Sequence, residues 1–345
     1  MVFLKNIARK KYRIAVLGVA SAMLFTACSS STDDMSDGKT YRIAFLASSS
    51  QNGYNQAVWA GIQKTAESLG NIEATIFDGQ FAADVQLNQL EDAIASGNYD
   101  GIVIVPNDTV GIAAGLPAAV EKNLPVVTVL FPIGPNLTQL EPQVPGIVAT
   151  VASPPADGAT KQAELVVEYC KTLNPCKVVI LIGQLQYPFD KVRYDAYRKV
   201  LDAQKNIKVV ATGSGNYDRD TSLKAMTDIL QANKKIDVLL SNADQQTAGA
   251  TIALKNAGYD LSKIYVTGGG GTKTAVAATR AGEWKHAYLN FPSSMGSAAL
   301  EQLINSLSGK PVKSVIDADS IGGIEPFADK AILDQNPDFT GEWDG

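Results

Sequence analysis

Apolar and polar residues alternate in blocks along this chain, and the blocks follow two periods. Short runs rich in β-branched residues predict strands, and these runs are apolar almost throughout, which is typical of parallel strands covered on both faces. The longer segments between them carry apolar residues at the spacing of a helix. This alternation of strand and helix predicts a doubly wound α/β fold.

The pattern occurs twice after residue 41. Strands are predicted at 42–47, 74–77, 101–105, 126–130, 146–151, 177–182, 208–211, 238–241, 264–267 and 286–289. Helices are predicted at 57–69, 85–95, 159–173, 193–203, 222–232 and 247–257. The proline-rich segment 131–145 separates the first strands from the later set. We therefore expect two similar lobes with a cleft between them, where ligands bind beyond the carboxyl ends of the strands.

The first 40 residues have a different pattern. A basic stretch is followed by an apolar run at 14–27, which is shorter than the roughly 20 residues that span a bilayer, and Cys28 comes next. This predicts a secretory signal peptide at 1–27. The cleavage point resembles a bacterial lipobox, although Phe25 stands where leucine is usual, so Cys28 is predicted to be acylated and residues 28–40 to form a flexible tether. The alternative is an ordinary signal peptide next to an incidental cysteine.

Size and charge exclude some classes of protein. Removal of 27 of the 345 residues leaves 318, which exceeds the usual limit of about 250–300 residues for one core and favours two domains. The removed segment holds five of the 30 basic residues and none of the 35 acidic ones, so 25 basic and 35 acidic residues remain and the net charge is −10. A net-acidic body argues against nucleic acid as a partner.

Two cysteines remain, Cys170 and Cys176, in a chain predicted to be exported. A disulfide between them would join the end of a helix to the start of the next strand, and disulfides persist outside the cytoplasm. The alternative is a pair of small buried thiols. One histidine and two cysteines do not complete a zinc site without carboxylates, so neither a metal nor another cofactor is expected.

Polar and aromatic side chains follow most of the predicted strands. Their amide, carboxylate, guanidinium and aromatic groups are suited to binding hydroxyls and rings. The candidates are Asn52, Tyr54, Asn55, Asn107, Phe131, Tyr187, Arg193, Asn242, Asp244 and Asn290. Residues of these types also cap helices whatever the function, which is a sufficient explanation for Asp244. Arg193 is different, because a cation at the start of a helix opposes the helix dipole and needs a carboxylate or a ligand hydroxyl beside it.

The sequence also resembles the ribose-binding family, the type I periplasmic sugar-binding proteins of ABC transporters. The similar segments are RIAF at 42–45, NGY at 52–54, AGIQKTAESLG at 60–70, YDGIVIVPN at 99–107, LPVVT at 124–128, RYDAY at 193–197 and SNAD at 241–244. The order and spacing of these segments together indicate the family more specifically than any single segment does. The resemblance covers most of residues 41–310.

The resemblance implies roles for individual residues. Asn52 matches the family's first ligand asparagine, Tyr54 its stacking aromatic residue, Arg193 its arginine and Asn290 its late amide. The sequence departs from the pattern at two places. Leu130 and Phe131 replace an acidic-basic pair, and Gly270 replaces an aspartate. Each lost charge-assisted bond would weaken the binding of a sugar by about 1.5–3 kcal/mol. Ribose specificity is therefore not implied, and a deoxygenated or cyclic polyol, or a nucleoside-like ring, is equally compatible.

The resemblance also implies the architecture and the partners. It places one lobe at 41–153 plus 291–320 and the other at 154–290 plus 321–345, with three hinge crossings near residues 153, 290–291 and 320. The expected protein is a monomer that binds a small polar ligand by closure of the hinge and delivers it to an ABC permease. Its expected location is the outer face of the cytoplasmic membrane or the periplasm, with the acyl group as its only contact with the membrane.

Other functions have less support from the sequence. His286 lies in a predicted strand, and the chain after residue 40 has no GxSxG elbow, Walker lysine or metal-ligand cluster, so an enzyme is not expected. A sugar-responsive repressor of this fold would begin with a helix-turn-helix instead of a signal peptide. A ligand-loaded partner of a membrane sensor and a nucleoside-binding lipoprotein remain as alternatives.

Overall fold

The computed structural model of the protein describes residues Lys39–Gly345. The predicted signal peptide at 1–27, the acylation site at Cys28 and nearly all of the tether lie outside the described residues. The rest of the chain alternates strands and helices, as its sequence pattern predicts. The α/β prediction is therefore confirmed.

The strands and helices have the following bounds. The strands are β1 (Tyr41–Ala47), β2 (Ile72–Asp78), β3 (Gly101–Ile104), β4 (Val126–Leu130), β5 (Ile147–Ala152), β6 (Cys176–Ile182), β7 (Ile207–Ser214), β8 (Val238–Ser241), β9 (Tyr265–Gly269), β10 (His286–Tyr288), β11 (Val315–Asp317) and β12 (Phe327–Ala328). The helices are α1 (Gly53–Leu69), α2 (Ala83–Ser96), α3 (Leu116–Glu121), α4 (Pro155–Cys170), α5 (Pro188–Asp202), α6 (Arg219–Ala232), α7 (Asp244–Asn256), α8 (Lys273–Arg280), α9 (Pro292–Leu307) and α10 (Lys330–Gln335).

These strands form two sheets. The first has the order β11-β5-β4-β3-β1-β2, and all of its pairs are parallel. The second has the order β12-β10-β9-β8-β6-β7, in which only β12 is antiparallel to its neighbour among the described strands. We call the part of the molecule built on each sheet the first lobe and the second lobe. Two doubly wound lobes, as predicted, are thus present.

The chain changes sheets at three places. It leaves the first sheet after Ala152, returns to that lobe between Tyr288 and α9, and leaves it again between Asp317 and Phe327. Tyr288 joins the three connections, because its hydroxyl donates to Asp319 Oδ1 at 2.9 Å and lies 3.4 Å from Ser153 Oγ. One side chain therefore ties together the three segments about which the lobes would rotate.

The helices begin earlier than their apolar spacing predicts, because their first turns hold the polar residues that follow each strand. Asn52 shows the effect on α1, where its side chain accepts hydrogen bonds from the backbone nitrogens of Tyr54 and Asn55. Asp218 and Thr272 cap α6 and α8 in the same way, whereas α2, α4, α5, α7 and α9 have no side-chain cap. The amino ends of these helices, and the loops before them, face the cleft that the sequence predicts.

Glycines allow the closest helix contact in the first lobe. A Cβ atom on Gly61 of α1 would lie 1.9 Å from the carbonyl oxygen of Ser293, and one on Gly296 of α9 would lie 2.1 Å from that of Val58. Such distances are shorter than any real contact, so the two backbones touch at these positions. This packing holds α9, which arrives from the second crossing, firmly on the first lobe.

Cys170 and Cys176 form a disulfide. Cys170 ends α4 and Cys176 begins β6, and both residues are fully buried. The bond joins the helix to the strand that follows it within the second lobe. It lies in the core of that lobe, away from the cleft.

Candidate functional site

A cavity of about 60 Å³ lies between the two lobes. Its wall is formed by Ser48, Asn52, Tyr54, Asn55, Phe81, Asn107, Leu130 and Phe131 from the first lobe, and by Phe189, Arg193, Tyr217, Asn242, Ala243, Gln245, Gly269 and Asn290 from the second lobe and the crossing after it. Eight of the ten residues selected from the sequence are among them. The structure therefore brings together side chains that are up to 238 positions apart, from Asn52 to Asn290.

Asparagine amides form the polar wall of the first lobe. Asn55 accepts a hydrogen bond from the backbone nitrogen of Ser48 at 3.0 Å, and its own amide nitrogen donates to Asn52 Oδ1. Asn107 is almost fully buried, and its amide nitrogen donates to the carbonyl oxygens of Ser48 and Gly79. These bonds hold the amides in fixed positions, so that the groups facing the cavity are already oriented for a ligand.

Arg193 is the cation of the cavity, and Asp190 provides its charge partner. The carboxylate of Asp190 is fully buried and lies 3.6 Å from Arg193 Nη1, one helical turn away on α5. Asp190 also accepts hydrogen bonds from the Tyr217 hydroxyl at 2.6 Å and from Asn242 Nδ2 at 2.9 Å. Arg193 is the sixth residue of α5, so the expectation that it begins the helix is wrong, but it does have a carboxylate beside it. That partner, Asp190, is a residue that sequence reasoning did not select.

Burial and charge act in opposite directions on this group of side chains. Burial raises the pKa of the Asp190 carboxyl, while Arg193 and the hydrogen bonds from Gln184 and Tyr217 lower it. Burial also raises the pKa of Tyr217, and the neighbouring Asp190 adds to that rise. Tyr217 therefore stays a neutral hydroxyl at physiological pH. It donates to Asp190 and lies 3.5 Å from Arg193 Nη1.

Aromatic rings from both lobes meet beside Arg193. The Phe131 ring of the first lobe stacks on Phe189 of the second lobe, with 4.1 Å between ring centroids. The guanidinium of Arg193 lies over the Phe131 ring, 4.9 Å from its centroid, which is a favourable cation–π distance. Leu130 has a φ of 74°, in the left-handed region, and the Thr128 hydroxyl donates to the Phe131 carbonyl at 2.7 Å. This strained turn aims Phe131 across the cleft.

A second pair of contacts closes the opposite wall. The Phe81 ring, which follows β2, stacks on Tyr217 with 6.0 Å between centroids. The hydroxyl of Tyr187 donates to the Phe81 carbonyl oxygen, again across the cleft. Tyr187 therefore contacts both lobes without lining the cavity, and its role in the structure is to join the walls.

Asp244 lies outside the cavity, behind its wall. It is the first residue of α7 and does not cap that helix, since its Oδ2 accepts a hydrogen bond from the backbone nitrogen of Thr272 at 2.8 Å. Its Oδ1 is buried and has no hydrogen-bond partner within Lys39–Gly345. Burial raises the pKa of this carboxyl to about 7. The explanation of Asp244 as a helix cap is therefore wrong. Its side chain instead bonds the loop before α8 through the backbone nitrogen of Thr272.

Sequence reasoning missed Phe81, Tyr217, Phe189 and Asp190 as members of the site. Phe81 follows β2 and Tyr217 follows β7, so the same rule that selected Asn52 and Asn242 would have selected them. Phe189 and Asp190 lie next to Tyr187 in the loop and first turn after β6. They precede the helix that the sequence predicts at 193–203, and only the fold shows that Phe189 faces the other lobe and Asp190 faces Arg193.

Comparison with known proteins agrees with this architecture. The sequence profile of the periplasmic binding protein domain matches residues 43–311, which is most of the chain. The chain belongs to this family. The putative rhizopine-binding protein of Rhizobium meliloti is 28% identical over 260 residues, covering 74% of this chain and 81% of that protein. The ribose import binding protein of Bacillus subtilis is 26% identical, covering 89% and 97%.

Solved structures of this family share the fold. A solute-binding protein of an ABC transporter from Actinobacillus succinogenes, with bound D-allose, has a TM-score of 0.72 and 21% identity, covering 86% of this chain and all of that one. A solute-binding protein from Bacillus halodurans, with bound myo-inositol, has a TM-score of 0.74 and 18% identity, covering 87% and 98%. The predicted periplasmic-binding-protein fold is confirmed.

In the described part of the chain, the helices lack the length and apolar character needed to cross a bilayer. Within the same residues, no three His, Cys, Asp or Glu side chains are grouped to hold a metal ion.

Proposed function

We propose that this protein is the extracytoplasmic solute-binding component of an ABC importer and that it binds a small sugar or cyclic polyol between its lobes. The observation that carries the proposal is the cavity itself. Both lobes contribute to it, and it combines amides and one arginine with the rings of Tyr54, Phe81, Phe131 and Tyr217. Amides bind hydroxyl groups and aromatic rings cover the apolar face of a saturated ring.

Binding requires movement of the lobes. A cavity of about 60 Å³ has room for only a few water molecules, which is less than a sugar ring needs. The ligand would enter an open cleft and the lobes would close on it by rotation about the three crossings. The rings that pair across the cleft, Phe131 with Phe189 and Phe81 with Tyr217, would then separate or shift to admit the ligand.

The wall of the cavity favours some rings over others. Among the described residues that line it, none carries a carboxylate. Leu130 and Phe131 stand where the resemblance places an acidic-basic pair, and Gly270, next to the lining residue Gly269, stands where it places an aspartate. Neutral hydrogen bonds contribute about 0.5–1.5 kcal/mol each, against about 1.5–3 kcal/mol for bonds to charged groups. We therefore expect a ring with an apolar face or edge, such as a deoxy sugar or a cyclic polyol, to bind more tightly than D-ribose.

We also propose that the protein acts beside the membrane. Acylation of Cys28 would hold the two-lobed body beside the membrane by the tether 28–40, where the closed form would dock on a permease. The body would act as a monomer, and it would bind and release its ligand without chemical change. The two lobes would be 41–153 plus 291–320 and 154–290 plus 321–345. Names of similar proteins, which refer to ribose, D-allose and rhizopine, support a transport role.

A thermal-shift screen of the chain from Ser29 to Gly345 tests the proposal. The probes are D-ribose, D-allose, D-fucose, xylitol and myo-inositol, with nucleosides and amino acids as the comparison classes. A ligand at 100 times its dissociation constant adds about 2.7 kcal/mol to the free energy of unfolding. Stabilisation by a sugar or polyol supports the proposal, whereas stabilisation confined to nucleosides or amino acids would overturn it.

A further inference from the structure

The last residues of the chain are fixed to the second lobe by several bonds. The backbone nitrogen of Lys273 donates to the Trp343 carbonyl oxygen at 2.8 Å, and Trp343 Nε1 donates to the Gly270 carbonyl oxygen at 2.6 Å. Lys273 Nζ also lies 2.9 Å from Asp344 Oδ1. Further back, the guanidinium of Arg280 donates to carbonyl oxygens of the segment that leads to the tail, namely those of Leu333, Asn336, Pro337 and Phe339.

The same residues contact the first lobe. The carboxylate of Glu342 accepts hydrogen bonds from the backbone nitrogen of Ser294, at 3.1 Å, and from its hydroxyl group. Ser294 lies in the first turn of α9, where a negative charge also interacts favourably with the helix dipole. The Trp343 ring, which is only 4% exposed, meets Tyr54 edge-on with 5.4 Å between centroids. The short segment that contains Glu342, Trp343 and Asp344 thus contacts both lobes.

The fit of this tail is close. A Cβ atom on Gly270 would lie 2.8 Å from Trp343 Cζ2, and one on Gly53 would lie 3.2 Å from the Gly345 backbone. Glycine at these two positions, one on each lobe, leaves the space that the tail occupies. Gly53 begins α1 and directly precedes Tyr54, whose side chain lines the cavity.

We propose that residues 342–345 form an interlobe latch that stabilises the closed conformation and in which Trp343 positions Tyr54 against the ligand. The bonds to Gly270 and Lys273 hold the latch on the second lobe, so rotation about the hinge pulls its contacts away from Ser294 and Tyr54. Opening therefore costs the Glu342 bonds and the ring contact. Trp343 does not line the cavity itself, and it acts through Tyr54, which does.

The inference rests on the hinge motion of the proposed function, and it is tested without a ligand so that the two can fail separately. Spin labels are placed at Asp84→Cys and Asp220→Cys, exposed positions in the first turns of α2 and α6 on the two sides of the cleft. Pulsed electron paramagnetic resonance then measures the distance between the two spin labels in the ligand-free chain from Ser29 to Gly345. Two test variants, Glu342→Ala and Trp343→Ala, are compared with the unmodified tail.

We expect each test variant to raise the ratio of open to closed distances about tenfold, because a bond to a charged group or a buried ring contact is lost. Trp343→Phe keeps a ring beside Tyr54 and should give a smaller rise. Glu283→Ala is the matched control, since Glu283 pairs with Lys255 inside the second lobe and has no bond to residues 342–345, and its ratio should not change. A ratio in Glu342→Ala and Trp343→Ala equal to that of the control would overturn the latch.

Folding of each spin-labelled variant is checked by thermal unfolding of the same sample. If Trp343→Ala does not fold, Ser294→Ala replaces it, because this change removes one bond to Glu342 from the first-lobe side. An open fraction that rises in Ser294→Ala supports the latch, and an unchanged fraction contradicts it. A positive sugar screen combined with unchanged distances would leave the proposed function intact and remove only the latch.

Discussion

Arg193 shows how one residue can serve both the stability of a lobe and the binding of a ligand. Its guanidinium lies between the Phe131 ring of the first lobe and the buried carboxylate of Asp190 in the second. The carboxylate needs a cation beside it, because a buried unpaired charge is strongly destabilising. The cation in turn offers its remaining donors to the cavity. Binding and stability are therefore linked at this residue, and a single substitution affects both.

We predict that Arg193→Ala abolishes tight binding of the ligand found in the screen and also lowers the free energy of unfolding by about 2 kcal/mol, since Asp190 loses its partner. The double variant Asp190→Asn/Arg193→Ala should recover part of the stability, because no buried charge remains, but none of the binding. Titration calorimetry and urea unfolding separate the two effects. Unchanged affinity in Arg193→Ala would show that the arginine is structural only.

Asp244 is a second single residue with a measurable effect, because it makes the free energy of unfolding depend on pH. Its pKa is raised by burial to about 7, against about 3.9 for an exposed aspartate, so the folded state holds this proton more tightly than the unfolded state. The contribution to stability is fully present below about pH 4 and is lost as the pH rises through 7. The acid form suits the buried Oδ1, which has no hydrogen-bond partner in the described structure.

We predict that Asp244→Asn removes this part of the pH dependence. The difference in unfolding free energy between the unmodified chain and the variant should change by roughly 3 kcal/mol between pH 4 and pH 7, at about 1.4 kcal/mol for each unit of pKa shift. The unmodified chain loses the stability as the pH rises. Urea unfolding across this range measures the change, and parallel curves for the two proteins would contradict it.

At the scale of elements, the hinge is the part that the sequence describes least completely. The regular strands and most helices follow from their periods because they are long and buried on both faces. The strands β11 and β12 have three and two residues, too few for a period to be read. The three crossings follow from the resemblance, but not the hydroxyl of Tyr288 that joins them, because a buried tyrosine in a strand looks like a core residue.

We predict that Tyr288→Phe weakens ligand binding by up to about tenfold, because the bond from its hydroxyl to the Asp319 carboxyl at the crossings is lost. A hydrogen bond contributes about 0.5–1.5 kcal/mol. The change leaves the ring stacked on Phe327. Tyr265→Phe is the matched control, since Tyr265 is also a buried tyrosine of the second sheet but lies beside His286, away from the crossings. Equal losses of affinity in the two variants would mean that the hinge bond has no special role.

At the scale of the whole molecule, the two lobes have to be considered together, because side chains from both of them line the cavity. Strand-end residues identify most of the polar wall from the sequence, since parallel strands bring their carboxyl ends to one edge. The aromatic pairs across the cleft and the C-terminal latch are not predictable in that way. They depend on how the lobes face each other, and that relation is set by three short crossings whose geometry no local pattern encodes.

Closure of the lobes around a bound ring changes the dimensions of the molecule, which small-angle X-ray scattering measures in solution. The chain from Ser29 to Gly345 is measured alone and with a saturating concentration of the sugar or polyol that gives the largest thermal shift, with myo-inositol as the first probe. We expect a smaller radius of gyration and a smaller maximum dimension in the bound state. Saturation in a titration with no contraction in scattering would contradict it.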